Sequence, residues 1–176
     1  MEIVLIEYLQ NKDSCHKLKL QKTHLSIMNG SPVKKGDILK IYVDGASRGN
    51  PGPAACAFLL VHDGNIIQDE CEFIGTATNN TAEYKAVINA LKTAERFSQG
   101  HIQVYSDSNL AIQQINKKWK INYPHLSKLC NEVYKLSEKY KKVEFFHVGR
   151  NNPYIQKCDK LCNEQLDAEG FKNCKR

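Results

Sequence analysis

The chain has 176 residues, 41% of them hydrophobic and 25% charged, and a formal net charge of +6. That length suits one domain, or one domain with an appendage, and is enough to bury a sizeable core. No apolar run approaches the ~18–20 residues that span a bilayer, and Met1 to Gln10 lacks the basic start and small-residue cleavage site of a signal peptide.

The seven cysteines are odd in number and are expected as reduced thiols in a cytoplasmic protein. Cys158 and Cys162 lie one helical turn apart, but no second Cys/His pair with zinc spacing follows, so packing is the expected role. The positive balance favours partners that carry phosphate without identifying one, and ordinary surface lysine accounts for it as well.

Residues 1–37 stand apart. Glu2–Leu9 and Leu18–Ile27 read as strands about a turn at Asn11–Ser14, and Asn29-Gly30 marks a further turn. A segment this short cannot hold its own core, so a β-rich extension with no assigned role is expected, followed by one domain over 38–170 and a tail over 171–176. Ile38–Val43 is a short apolar run that ends in an acid and a glycine-rich turn. Ala54–Val61 and Ile66–Ile74 read as two strands about a turn at His62–Asn65.

Between Asn80 and Phe97 the apolar positions Ala82, Ala86, Val87, Ala90, Leu91 and Ala94 have helical spacing with one buried face. Ile102–Tyr105 reads as a strand, Leu110–Ile115 as a short helix and Pro124–Tyr140 as a longer one. Val143–Phe146 reads as a strand and Pro153–Leu166 as the last helix. Three meandering strands followed by alternating helix and strand predict an α/β fold: a mixed sheet with helices on both faces and the first, fourth and fifth strands parallel.

Two strands end in an acid, Asp44 after Ile41-Tyr42-Val43 and Asp107 after Val104-Tyr105-Ser106. Ligands of open sheets gather beyond the carboxyl ends of parallel strands, and two carboxylates there repel unless a cation lies between them. Singly, each has a local explanation. Asp44 opens a turn with Gly45, or Asp107 caps the next helix. Asn80-Thr81-Ala82-Glu83 fits a capping box, with Asn80 as the cap; the alternative aims Glu83 at a metal. Asp159 lies on a polar helix face, where an acid is usually only solvated.

These residues resemble the ribonuclease H family, type 1. Asp44-Gly45-Ala46-Ser47-Arg48-Gly49-Asn50-Pro51-Gly52-Pro53 is similar to its first-strand signature. Thr78-Asn79-Asn80-Thr81-Ala82-Glu83 is similar to the start of its first helix, Tyr105-Ser106-Asp107-Ser108 to its third element, and Asn151 through Asp167, with Cys158-Asp159-Lys160, to its fourth. The four arrive in family order and cover roughly residues 38–168.

The resemblance implies a ribonuclease H-like fold with a five-stranded sheet of order 3-2-1-4-5. It also implies endonucleolytic cleavage of the RNA strand of RNA–DNA hybrids, with Asp44, Glu83, Asp107 and Asp159 holding two Mg2+ ions and Mn2+ as a possible substitute. Two hard cations about 4 Å apart bind both the attacking and the leaving oxygen of a phosphodiester, and magnesium prefers oxygen ligands. On this basis Asp44 bridges the ions, Asp107 and Asp159 each lean to one side, and Glu83 holds one ion while contacting the sugar. Cleaving RNA requires reading the 2′-hydroxyl. Glu83 and the Gly45–Gly52 loop, including Ser47, suit that task. Asn50, Asn79 and Asn80 are placed for base edges or sugars, and Thr78 for a phosphate; turn and cap chemistry is the other reading of the asparagines.

The chain departs from the best-known bacterial members. Asn116 to Pro124 leaves no room for their basic helical protrusion, so the chain resembles the short subtype of archaea and some bacteria. In that subtype the last strand runs into a histidine-valine-proline-arginine sequence; here it is His147-Val148-Gly149-Arg150. Arg150 is the expected assistant at the scissile phosphate or in product release, and His147 is expected to be structural. Lys117, Lys118, Trp119 and Lys120 either grip the DNA strand through its phosphates or form a solvated lysine turn with Trp119 tucked into the core. No membrane contact and no obligatory protein partner is expected. The competing readings are a nuclease of the same fold acting on RNA duplexes or junctions, and a non-catalytic nucleic-acid-binding module.

Overall fold

The structure, a computed structural model, describes Val33 and residues 36–172. The strands expected within residues 2–27 and the turn at Asn29-Gly30 lie outside the described residues. The described residues form nine elements in order: β1 (Ile38–Ser47), β2 (Gly52–His62), β3 (Asn65–Ala77), α1 (Asn79–Ala94), β4 (His101–Ser106), α2 (Asn109–Ile115), α3 (Pro124–Ser137), β5 (Lys142–His147) and α4 (Pro153–Ala168). Among the described residues no helix is long and apolar enough to cross a membrane.

The five strands form one sheet in the order β3-β2-β1-β4-β5. β1 and β2 pair antiparallel, as do β2 and β3; β1 and β4, then β4 and β5, pair parallel. β1 is central and buried on both faces, which its near-continuous apolar run requires. Side chains alternate across a strand. Leu39, Ile41 and Val43 therefore join the core beneath α1 and α3, while Tyr42 joins a second core with Ile155, Cys158, Cys162 and Leu166 of α4. The predicted two-sided α/β sheet is the one observed, and Cys158 and Cys162 pack between α4 and the sheet.

Three local expectations change. β1 does not stop at Val43 but pairs with β2 through Ser47, opposite Ala54. Asp44-Gly45 therefore lies inside a strand, held there by its neighbour. α1 begins at Asn79 with Thr78 as its cap, the Thr78 hydroxyl accepting from Thr81 N; a Thr hydroxyl serves that role well, and the capping box of Asn80 and Glu83 does not form. α3 ends at Ser137, three residues early. The chain tightens there so that Tyr140 turns inward and donates its hydroxyl to Leu91 O.

Alanine every fourth residue (Ala82, Ala86, Ala90, Ala94), all fully buried, gives α1 a narrow face towards the sheet. The approach is closest at Gly45. A Cβ added there would stand 2.3 Å from Glu83 N and 2.4 Å from Ala82 C, so only glycine lets the first turn of α1 cross β1 at this height.

Candidate active site

β1 and β4 lie side by side, and their carboxyl ends place Asp44 and Asp107 next to each other. The first turns of α1, pressed onto Gly45, bring Glu83 to the same place. One carboxylate oxygen from each of Asp44, Glu83 and Asp107 lies within 4.8 Å of the other two. Asp44 is 7% exposed and Glu83 5%. They line an open cavity of about 420 Å³ together with Gly45, Ser47, Asn79, Arg150, Ile155, Gln156 and Asp159.

The hydrogen bonds are too few for these charges. Asp44 Oδ1 accepts from Gly45 N at 2.9 Å, and Glu83 Oε1 accepts from Asn79 Nδ2 at 3.3 Å. Asp107 Oδ2 accepts from Arg150 Nε at 3.1 Å, although Arg150 is 90% exposed. Glu83 Oε2 and Asp107 Oδ1 are buried with no partner. An orphaned buried acceptor costs about 1–3 kcal/mol, more when charged, and folds keep such groups where something outside the chain satisfies them.

The electrostatics agree. Burial, then the charges of Asp107 and Asp159, push the Asp44 carboxyl up to about 7; the Gly45 amide and Arg150 pull weakly the other way. Burial, then Asp44 and Asp107, push Glu83 well above the usual carboxylate range. A cation seated among these oxygens would reverse both effects.

The local explanations of the acids fail one by one. Asp44 opens no turn, because β1 continues beyond it. The cap of α2 is Ser108, whose hydroxyl accepts from Ala111 N, so Asp107 is not spent there. Glu83 does not reach back to a cap. Asp159 lines the same cavity from the second turn of α4 but stays exposed and outside the tight group of three; Asn163 Nδ2 donates to its Oδ1 at 3.1 Å.

The other predicted residues divide. Ser47 Oγ donates to Ala77 O at 2.8 Å, tying the β1–β2 turn to the end of β3. Asn50 Oδ1 accepts from Asn79 N at 3.2 Å, so Asn50 and Thr78 are occupied with turn and cap chemistry. Asn79 alone of the asparagines lines the cavity, and Asn80 does not. Lys117, Lys118, Trp119 and Lys120 follow α2 away from the cavity lining. Lys117 Nζ sits 5.1 Å over the Tyr134 ring, and Trp119 is 49% exposed rather than tucked into the core. His147 ends β5 and takes no part in the cavity.

Sequence reasoning missed Gln156, which lines the cavity. It precedes Asp159 by three residues, so the helical face shared with Asp159 was the available signal.

A sheet of this order, with acids clustered beyond β1 and β4 and a third carried in by the first helix, defines the ribonuclease H-like architecture. The RNase H family model matches residues 36–167. "Ribonuclease HI" of Halobacterium salinarum is 38% identical over 152 residues, covering 81% of this chain and 75% of that one. The crystal structure of RNase H1 from that archaeon superposes with a TM-score of 0.71 at 39% identity, over 74% of this chain and 98% of that one. LC11-RNase H1, solved in complex with an RNA/DNA hybrid, gives a TM-score of 0.70 at 30% identity, over 74% and 98%. The chain belongs to the RNase H family, as a type 1 ribonuclease H.

Proposed function

We propose that the protein hydrolyses the RNA strand of RNA–DNA hybrids, using two Mg2+ ions held by Asp44, Glu83, Asp107 and Asp159, with Mn2+ as a substitute. The observation that carries this reading is the group of three converging carboxylates with two buried, unpartnered oxygens. The donor set fits the ion: all ligands are hard oxygens, and no His or Cys joins the group of three. Bound there, the ions would stabilise charge on the attacking and leaving oxygens of the phosphodiester and lower the pKa of a water.

The chain's own residues supply the rest. Asp44, on the central strand, would hold both ions, and Glu83 and Asp107 would each hold one beside it. Asp159, at the open rim, completes the set on the solvent side, with Asn163 orienting its carboxylate. Arg150 is long, exposed and loosely held, so it can leave Asp107 for a substrate phosphate. Gly45 and Asn79 face the cavity beside Glu83, where a ribose 2′-hydroxyl would have to be read. Asn50, Thr78 and Ser47 hold the loop that presents them, and Asn80 and Lys117 to Lys120 extend the surface for sugar and DNA phosphates. The cytoplasm is the expected site of action: Cys56, Cys71, Cys130, Cys158 and Cys162 are free thiols, as a reducing compartment keeps them.

The test is cleavage of matched RNA–DNA, RNA–RNA and DNA–DNA duplexes with and without Mg2+. Cutting of the RNA strand of the hybrid alone, abolished by chelator and restored by Mg2+ or Mn2+, is the expected result. Full activity in chelator would sink the two-ion reading, and preferential cutting of the RNA duplex would sink the substrate.

A further inference from the structure

Burial fixes Asp44 and Glu83, but Asp159 is exposed at the cavity rim. An exposed side chain keeps its rotamer freedom unless neighbours restrict it. Asn163, one turn further along α4, does so. Its Nδ2 folds back and donates to Asp159 O at 2.9 Å and to Asp159 Oδ1 at 3.1 Å. The turn that carries Asn163 is in turn gripped from the sheet. Arg48 Nη2 donates to Asn163 O at 3.2 Å, and Arg48 Nη1 meets Asp167 Oδ1 at 2.7 Å.

The Arg48 side chain is only 12% exposed, and its Nε is buried with no partner. Burying a guanidinium and leaving one of its donors unmet both oppose stability. What the fork supplies is direction. Its base is rigid: Arg48 N donates to Pro53 O at 2.8 Å, and a Cβ on Gly52 would stand 2.2 Å from Arg48 O. The core beneath α4, built from Tyr42, Ala55, Ala57, Ile155, Cys158 and Cys162, is apolar, and apolar burial has no preferred direction. Asp44 and Arg48 lie four residues apart on the chain that runs out of β1, and Asp159 and Asn163 lie four residues apart on α4. The Arg48 fork joins the two pairs into one frame, so the seat of Asp159 relative to Asp44 is set by the guanidinium.

We propose that Arg48 is a positioning residue for the acid cluster: its fork on Asn163 and Asp167 fixes the turn of α4 from which Asn163 aims the Asp159 carboxylate. The effect on metal rests on the metal reading above; the grip on α4 does not.

Arg48→Lys keeps the charge and loses the fork. In calorimetry, Arg48→Lys and Asn163→Ala should each bind Mn2+ about tenfold more weakly than the unaltered chain. At limiting Mn2+ the kcat of Arg48→Lys should fall by a similar factor, with KM for the hybrid unchanged, and excess Mn2+ should restore it. Combined with Asp159→Asn, Arg48→Lys should weaken Mn2+ binding no further, because the two act through one carboxylate. Tyr154→Phe is the control for a loosened helix, since it removes the bond from the Tyr154 hydroxyl to Gly64 O at 3.1 Å at the other end of α4; its Mn2+ affinity should be unchanged. Unchanged affinity in Arg48→Lys, an equal loss in Tyr154→Phe, or losses that add to that of Asp159→Asn overturn the proposal. In amide spectra of the metal-free chain, Arg48→Lys should move the resonances of Asp159, Asn163 and Asp167 and leave Tyr154 in place; unmoved resonances overturn the grip. If the unaltered chain binds no Mn2+, the fault lies with the metal reading, and the amide spectra still decide the grip.

Discussion

The two ends of the same strands treat acids in opposite ways. At the amino ends of β1, β4 and β5, acids are paired: Asp37 with His62 at 3.2 Å, and Glu144 with His101 at 2.5 Å and Lys142 at 2.9 Å. Hydrogen bonds from Lys142 and then His101 hold the Glu144 carboxyl below its usual range. At the carboxyl ends, buried Asp44 and Glu83 and half-buried Asp107 crowd together with one exposed arginine among them, and Asp44 and Glu83 are pushed up. The sheet can neutralise its acids when stability is all that matters. Where it does not, a positive charge from outside the chain would have to complete the balance, and that contrast is what the proposed metal site predicts.

The largest expected difference comes from matched amide variants at the two ends. Asp44→Asn should lower hybrid cleavage by orders of magnitude while leaving the fold intact, and should raise the melting temperature of the metal-free chain by relieving repulsion. Glu144→Gln should leave cleavage unchanged and slightly lower the melting temperature, since it removes only partly exposed pairs. Near-normal turnover of Asp44→Asn would erase the distinction between the two ends.

Arg150 tests the single cation at the working end. Arg150→Ala should tighten Mn2+ binding, because a competing positive charge is gone, yet slow cleavage on the order of 100-fold if the guanidinium meets the phosphate in the transition state. Calorimetry and single-turnover kinetics read the two separately. Weaker Mn2+ binding would show that Arg150 supports the acids rather than competing for them.

The pH dependence of stability should carry the sign of the working end. Asp44, with a folded pKa of about 7 against an unfolded value near 3.8, binds more protons folded than unfolded, and Glu83 acts in the same direction. Asp44's contribution is fully present below its unfolded value and is lost as pH rises through about 7, and Glu83's is lost in the same direction as pH rises through its own raised value. In chelator the chain should therefore melt at a lower temperature at pH 8 than at pH 5, and saturating Mg2+ should narrow the gap. A metal-free melting temperature that rises over this range would contradict the assigned shifts.

The smallest effect is expected from shortening the chain. A protein beginning at Gly36 keeps every named residue at both ends of the strands, and the family match begins at the same position. It should fold by circular dichroism and cut hybrids at a comparable maximal rate. A folded but inactive product would place part of the active site in residues 1–35.

Most elements were legible because the periodicities were clean, as in Leu39, Ile41 and Val43 of β1 or the alanines of α1. Legibility failed where a local pattern had two physical meanings. Asp44-Gly45 is a good turn dipeptide, yet β2 keeps pairing past it. Asn80-x-x-Glu83 is a good capping box, yet Thr78 caps first and the helix is seated by Gly45, a contact distant in sequence. Trp119 was assignable to core or surface because nothing nearby in sequence decides it. Asp159 could be reached only through the family resemblance, since an exposed acid on a helix looks the same whether or not a cavity opens beside it.

Gly45 has a bearing on how this site tolerates change. The separation of Asp44 from Glu83 is not set by any bond between them but by how near a helix can rest on a strand, and that clearance is fixed by an atom that is missing. A single methyl group at position 45, the mildest of substitutions by composition, would act as a spacer between the two carboxylates. The site's gauge is thus held by one backbone position that has no chemistry of its own.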